Sequence, residues 1–199
     1  MPSFRGMSFL NDKKTFLTKL DKSKKGEVDA FAIPLLNLIN SKPDYYSTSS
    51  CSGRVYLWQG TGKKNEITWL KVSHDLIAAE FLYLTTSSRL SSGLSSDLSS
   101  ELVWLRLESC IFHVACQNLS AANALLEAVR RVCKKSCLLS IQNKFIVEIR
   151  GSEFVEMPLY QDGKLVYSGD LNWLVEYLNS HLKKSWQRMS KLKEVIPLL

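Results

Sequence analysis

The feature that most constrains this chain is a succession of short strand-like runs punctuated by turn residues. They are "RVYLWQ" (54–59), "EITWLKVS" (66–73), "LVWLRLE" (102–108), "CIFHVAC" (110–116), "CLLSIQ" (137–142), "KFIVEIR" (144–150), "EFVEMPL" (153–159) and "LVYS" (165–168). "GTGKKN" and "QDGK" between neighbouring runs read as hairpin turns, which pair strands antiparallel. Helical periodicity frames the strands. An amphipathic helix is expected over residues 8–20 through Phe9, Phe16, Leu17 and Leu20. A second covers about 28–40, with Val28, Phe31, Leu35, Leu38 and Ile39 inward and Pro34 either kinking it or delaying its start. Further helices are expected from Asp75, from an N-cap at Ser120, and from Asp170 to about Leu192, the last with Leu171, Leu174, Leu178, Leu182 and Met189 on one side. No βαβ unit opens with a GxGxxG turn. The expected fold is therefore α+β: a mixed, largely antiparallel sheet or sheets in two intertwined lobes with flanking helices, not a Rossmann fold.

Across 199 residues, 45% of them hydrophobic, there is material for one domain or two small lobes. The segment "SSRLSSGLSSDLSS" (87–100) holds eight serines in fourteen residues and reads as a joint between lobes 1–86 and 101–199. No apolar run reaches membrane-spanning length and the N-terminus lacks an apolar h-region, so a cytoplasmic protein without a signal peptide is expected. Cysteines 51, 110, 116, 133 and 137 are odd in number and form no CxxC pair, which points to reduced thiols and no metal site. A net charge of +7 suits a polyanionic partner, with lysines crowding the start (Lys13, Lys14, Lys19, Lys22, Lys24, Lys25) and basic residues the end (Lys183, Lys184, Arg188, Lys191, Lys193). Solvated helix faces would have the same composition.

The run "STSSCSGR" (47–54) compresses five hydroxyls, a thiol, a glycine and an arginine into eight residues. Either its hydroxyls satisfy a turn, or its hydroxyls and free N–H groups cradle anionic oxygens with Arg54 as a clamp. Cys51 is a candidate nucleophile with His74 or His113 as base. His74 ends a strand before a helix, where a side chain can face a cleft. His113, among apolar residues, belongs either to the core or to a site. His181 is expected to be solvated on the last helix.

These residues carry a resemblance. "LDKSKKGEVDAFAIPLLNLINSKPDYYSTSSCSGRVYL" resembles the opening of the tRNA wybutosine-synthesizing methyltransferase family. "WLKVSH", "LVWLRLESCIFHV" and "FIVEIRGSEFVEMPL" are similar to its later blocks in the same order, over about residues 10–185. "KKNEI" (63–67) and "CKKSCLL" (133–139) depart from the family's glycine-containing segments, and the serine-rich stretch has no family counterpart. The resemblance implies an S-adenosyl-L-methionine-dependent enzyme that methylates N4 of a tricyclic guanosine derivative next to the anticodon of phenylalanine tRNA. It further implies that His74, Ser50 and Asp29 serve the chemistry, with His74 the preferred base or orienter and His113 second. Ser49, Ser50, Cys51, Ser52, Gly53, Arg54 and His113 would hold the donor. Lys13, Lys14, Lys22, Lys24, Lys25, Trp69 and Lys71 would contact the anticodon stem-loop, Trp69 by stacking if it is not a core residue. A non-catalytic tRNA-binding module of the same fold and an anion-binding hydrolase using Cys51 are the other readings.

Overall fold

The structure, a computed structural model, describes residues 4–18, 28–60, 67–84 and 102–196. The chain divides into two compact units, each assembled from separate stretches. One comprises residues 1–52, 110–152 and 185–199; the other comprises 53–109 and 153–184. The serine-rich segment expected as a joint lies outside the described residues.

The first unit is built on a four-stranded antiparallel sheet in the order β1-β5-β7-β6. Its strands are β1 (Tyr45–Cys51), β5 (Ile111–Cys116), β6 (Cys137–Ser140) and β7 (Phe145–Arg150). Alternation sends Phe112, Val114, Cys116, Val147 and Ile149 to one face. There they form a continuous core with Leu35, Leu36 and Ile39 of α2 (Ile33–Ser41), Leu125 and Val129 of α4 (Leu119–Arg130), and Met189 and Leu192 near the end of the last helix, α5 (Leu171–Val195). Part of the opposite face is covered by α1 (Phe4–Leu17), whose Phe9 and Phe16 rings meet the fully buried Tyr46 at 5.2 and 5.7 Å. Lys144 ties this cover down, donating to Tyr46 Oη at 3.1 Å and pairing with Asp12 of α1 at 2.9 Å.

Three helix expectations change here. α1 begins at Phe4, and Leu17 is exposed, because the inward stripe consists of the two rings on Tyr46; Leu20 lies outside the described residues. Pro34 delays α2 to Ile33, where a missing N–H in the first turn costs nothing. Val28 and Phe31 precede the helix and are exposed, although Phe31 stacks flat on Trp186 at 4.1 Å. The cap of α4 is Asn118, not Ser120: its side chain accepts from the Ala121 amide at 2.8 Å.

The second unit is a five-stranded antiparallel sheet in the order β3-β2-β4-β8-β9. It comprises β2 (Arg54–Gln59), β3 (Thr68–Ser73), β4 (Val103–Glu108), β8 (Phe154–Gln161) and β9 (Lys164–Leu165). Val103, Leu105 and Leu107 point inward with Val55 and Leu57, and Leu174, Leu178 and Leu182 of α5 are buried in the same unit. The β8–β9 turn uses Asp162 and Gly163, both at positive φ (51° and 73°), the geometry that matches hairpin twist. "LVYS" contributes only Leu165 to the ladder, and Lys164 of the turn run "QDGK" supplies the other residue of β9.

The helix expected from Asp75 shrinks to the single turn α3 (Ala79–Leu82). The Asn179 side chain binds both backbone groups of Ile77, at 2.9 and 2.8 Å, and so holds the preceding backbone out of a helical ladder. His181 is half-buried: its ring packs on Tyr177 at 4.3 Å and its Nδ1 lies 3.0 Å from the Tyr177 carbonyl. No helix among the described residues is long and apolar enough to cross a membrane.

Candidate active site

The hydroxyl-rich run is a strand, not a turn. Residues 47–51 belong to β1, Ser52 and Gly53 form a two-residue link, and Arg54 opens β2 in the other sheet. Gly53, buried at φ 105°, adopts backbone geometry that a side chain would strain. Ser52 is fully buried, and its amide and hydroxyl both donate to Asp29 Oδ2, at 2.8 and 3.0 Å. Its carbonyl accepts from the Ser185 hydroxyl at 3.3 Å, while Ser185 accepts from the Cys110 amide at 2.7 Å. Ser52 therefore locks the end of β1, and Asp29 is the acceptor that makes the lock. An Asp29 carboxylate oxygen also lies within 4.8 Å of the half-buried Cys51 Sγ.

A β-bulge shapes the strand upstream. Ser47 faces Val114 and Ser49 faces His113, so Thr48 is the extra residue of the ladder. The bulge is held at both ends. Asn40 at the end of α2 accepts from the Ser47 amide at 2.8 Å and donates to its hydroxyl at 3.1 Å, while Thr48 donates to the His113 carbonyl at 3.1 Å. The shift brings Ser49 beside His113, with Ser49 Oγ 2.7 Å from Nδ1. On the other side of the ring, Nε2 lies 3.1 Å from Glu148 Oε2 on β7. Ser49, His113 and Glu148 are cross-strand partners in one row. Ser49 is exposed; the side chains of His113 and Glu148 keep 28% and 15% of their exposure, enough for a ring edge to be reached and too little for free hydration of the carboxylate. Ser50 faces Phe112 and is half-buried.

In the second sheet Arg54 is committed to Glu108, its Nε and one terminal nitrogen donating to Oε2 at 3.1 and 2.8 Å. Its guanidinium also lies 4.5 Å from the Trp69 ring centroid. The Tyr56 hydroxyl donates to Glu108 Oε1 at 2.9 Å and accepts from Arg106 at 3.1 Å, and Arg106 pairs with Glu156. Burial, and then the Glu108 charge, push the Tyr56 phenol up to about 12. Trp69 is exposed beneath Arg54, and His74 stands half-buried one residue past β3.

Among the lysines, Lys71 donates to the carbonyls of Glu80, Phe81 and Tyr83, closing the C-terminal end of α3, and burial lowers its pKa. Lys13 donates to the Lys42 carbonyl, and burial lowers it too, against the pull of Asp44. Lys14 is exposed in the last turn of α1. Lys22, Lys24 and Lys25 lie outside the described residues.

Sequence reasoning did not single out Glu148, Asn40 or Glu108. A carboxylate between Val147 and Ile149 in an apolar strand was the one available sign of Glu148; its partner depends on strand order.

A family described as Methyltransferase TYW3 matches residues 11–197. The chain is 34% identical to the tRNA(Phe) 7-((3-amino-3-carboxypropyl)-4-demethylwyosine(37)-N(4))-methyltransferase of Methanocaldococcus jannaschii, over 90% of this chain and 92% of that protein. It is also 34% identical to the protein of the same name from Thermococcus sibiricus, over 96% and 94% of the two chains. Among solved structures, the PH1069 protein from Pyrococcus horikoshii aligns over 97% of this chain and 98% of its own, with a TM-score of 0.80 and 31% identity.

Proposed function

The chain belongs to the TYW3 methyltransferase family, and from that premise we propose that it methylates N4 of a tricyclic, wyosine-type guanosine in tRNA(Phe), with S-adenosyl-L-methionine as the methyl donor. It is a tRNA methyltransferase of wybutosine synthesis, and its substrate is the anticodon stem-loop presented in the cytoplasm. The observation that carries this reading is the match of residues 11–197 to the family, together with 34% identity over 90% of this chain to a relative named for that reaction; the run Ser47–Arg54 lies inside the matched residues.

The side chains present fit such a donor in chemistry. Ser50 offers a hydroxyl on a partly open strand, and Asp29 supplies a carboxylate beside the half-buried Cys51. These groups suit the diol, ammonium and sulfonium of the donor, which contributes a methyl carbon open to displacement. The protein's own task is alignment of N4, exclusion of water and removal of one proton. We assign the orientation of the base to His74 and the anchoring of the strand to Asp29 through Ser52.

Donor binding tests this reading. S-adenosyl-L-methionine at a hundredfold excess over its dissociation constant stabilises the protein by about 2.7 kcal/mol, read as a raised melting temperature. A melting temperature indifferent to the donor, with and without tRNA, contradicts it.

A further inference from the structure

We propose that Ser49, His113 and Glu148 form a proton relay for this methyl transfer, with Glu148 as a positioning residue; the inference rests on the methyltransferase reading above. Three observations carry it. First, the three side chains stand in one cross-strand row of the first sheet, linked at 2.7 and 3.1 Å. Second, the row depends on the bulge at Thr48. An unbulged ladder would set Thr48 opposite His113 and turn Ser49 to the other face. The Asn40–Ser47 pair and the Thr48 hydroxyl are the bonds that fix the shift. Third, the relay opens outward at one end only, since Ser49 is exposed while Glu148 is largely covered.

The chemistry follows from the donor inventory of each group. A carboxylate only accepts, so Glu148 holds the imidazole proton on Nε2 and leaves Nδ1 as an acceptor. Nδ1 then takes the Ser49 hydroxyl proton, and the Ser49 oxygen keeps its lone pairs for a proton from outside. When the N4–methyl bond forms, the carbon–sulfur pair of the sulfonium returns to sulfur. The N4 proton passes to Ser49 Oγ and the Ser49 proton to His113 Nδ1. The resulting imidazolium faces the Glu148 carboxylate, and no other oxidant, reductant or reactant is needed. This gives Ser49 and His113 a task in proton transfer in place of a grip on the donor.

The test compares full-length wild type with Ser49→Ala, Glu148→Gln, Glu148→Asp and the double variant Ser49→Ala/Glu148→Gln. In the donor-free protein, nitrogen-15 NMR of the imidazole is expected to show His113 protonated on Nε2, with the Nδ1–H form appearing in Glu148→Gln. In single-turnover methylation, Glu148→Gln is expected to slow the step by about a hundredfold. Donor and tRNA dissociation constants should stay at wild-type values, Glu148→Asp should recover part of the rate, and the double variant should be no slower than Ser49→Ala. Should Glu148→Gln unfold, the wild-type tautomer and the Glu148→Asp rate carry the test. Wild-type protein protonated on Nδ1, a Glu148→Gln rate equal to wild type, or a loss confined to donor affinity would overturn the relay alone. A wild type that transfers no methyl group would overturn the methyltransferase reading together with it.

Discussion

Asp29 shows how much of this site hangs on single atoms. One carboxylate oxygen satisfies both the amide and the hydroxyl of the fully buried Ser52. No water can replace it without room, so its removal leaves two donors unpaired in the interior, at about 1–3 kcal/mol each. Asp29→Ala should therefore lower the unfolding free energy by about 2–6 kcal/mol, seen as a lower denaturant midpoint with an unchanged slope. Asp29→Asn, which keeps an acceptor oxygen, should lose less. Equal midpoints for wild type and Asp29→Ala would mean that the strand end is held by something other than this lock.

At the scale of elements, the strands were legible because their side-chain period is two and their turns are chemically marked. Asp162–Gly163 is a hairpin turn in sequence and in structure. Helix ends were less legible. The α4 cap falls on Asn118, whose side chain reaches the Ala121 amide, while Ser120 lies exposed inside the first turn. Asn118→Ala should cost about 1 kcal/mol and Ser120→Ala no more than about 0.5 kcal/mol, measured by chemical denaturation. The reverse order would restore the cap at Ser120. Long-range order was the least legible property. Nothing local in "YYSTSSC" says that it pairs with "IFHVAC" instead of with the adjacent "RVYLWQ", or that a bulge at Thr48 sets Ser49 on His113. The helix expected after Asp75 failed for the same reason: its backbone is claimed by Asn179, about a hundred residues away in sequence.

At the scale of the whole molecule, three buried acids set the alkaline limit. Burial, then Cys116 and Asp44, push the Tyr45 phenol from 10.0 to about 12; burial, then Glu108, does the same for Tyr56; burial, then Asp44, pushes the Cys116 thiol from 9.0 to about 12. Each is held neutral in the fold, so its contribution is fully present below the unfolded value and is lost as pH rises toward the folded one. Melting temperature should fall between about pH 9 and 12, and Tyr45→Phe should flatten the fall above pH 10. An unaltered alkaline slope in that variant would mean that Tyr45 carries none of it. The central claim concerns what the assembled molecule does to RNA. It is tested most directly by mass spectrometry of the nucleosides released from tRNA(Phe) carrying the unmethylated tricyclic base, after incubation with this protein and S-adenosyl-L-methionine. The account predicts that the tricyclic nucleoside gains one methyl group in place of one hydrogen, on N4 and only when protein and donor are both present; an unchanged nucleoside beside a positive control would contradict it.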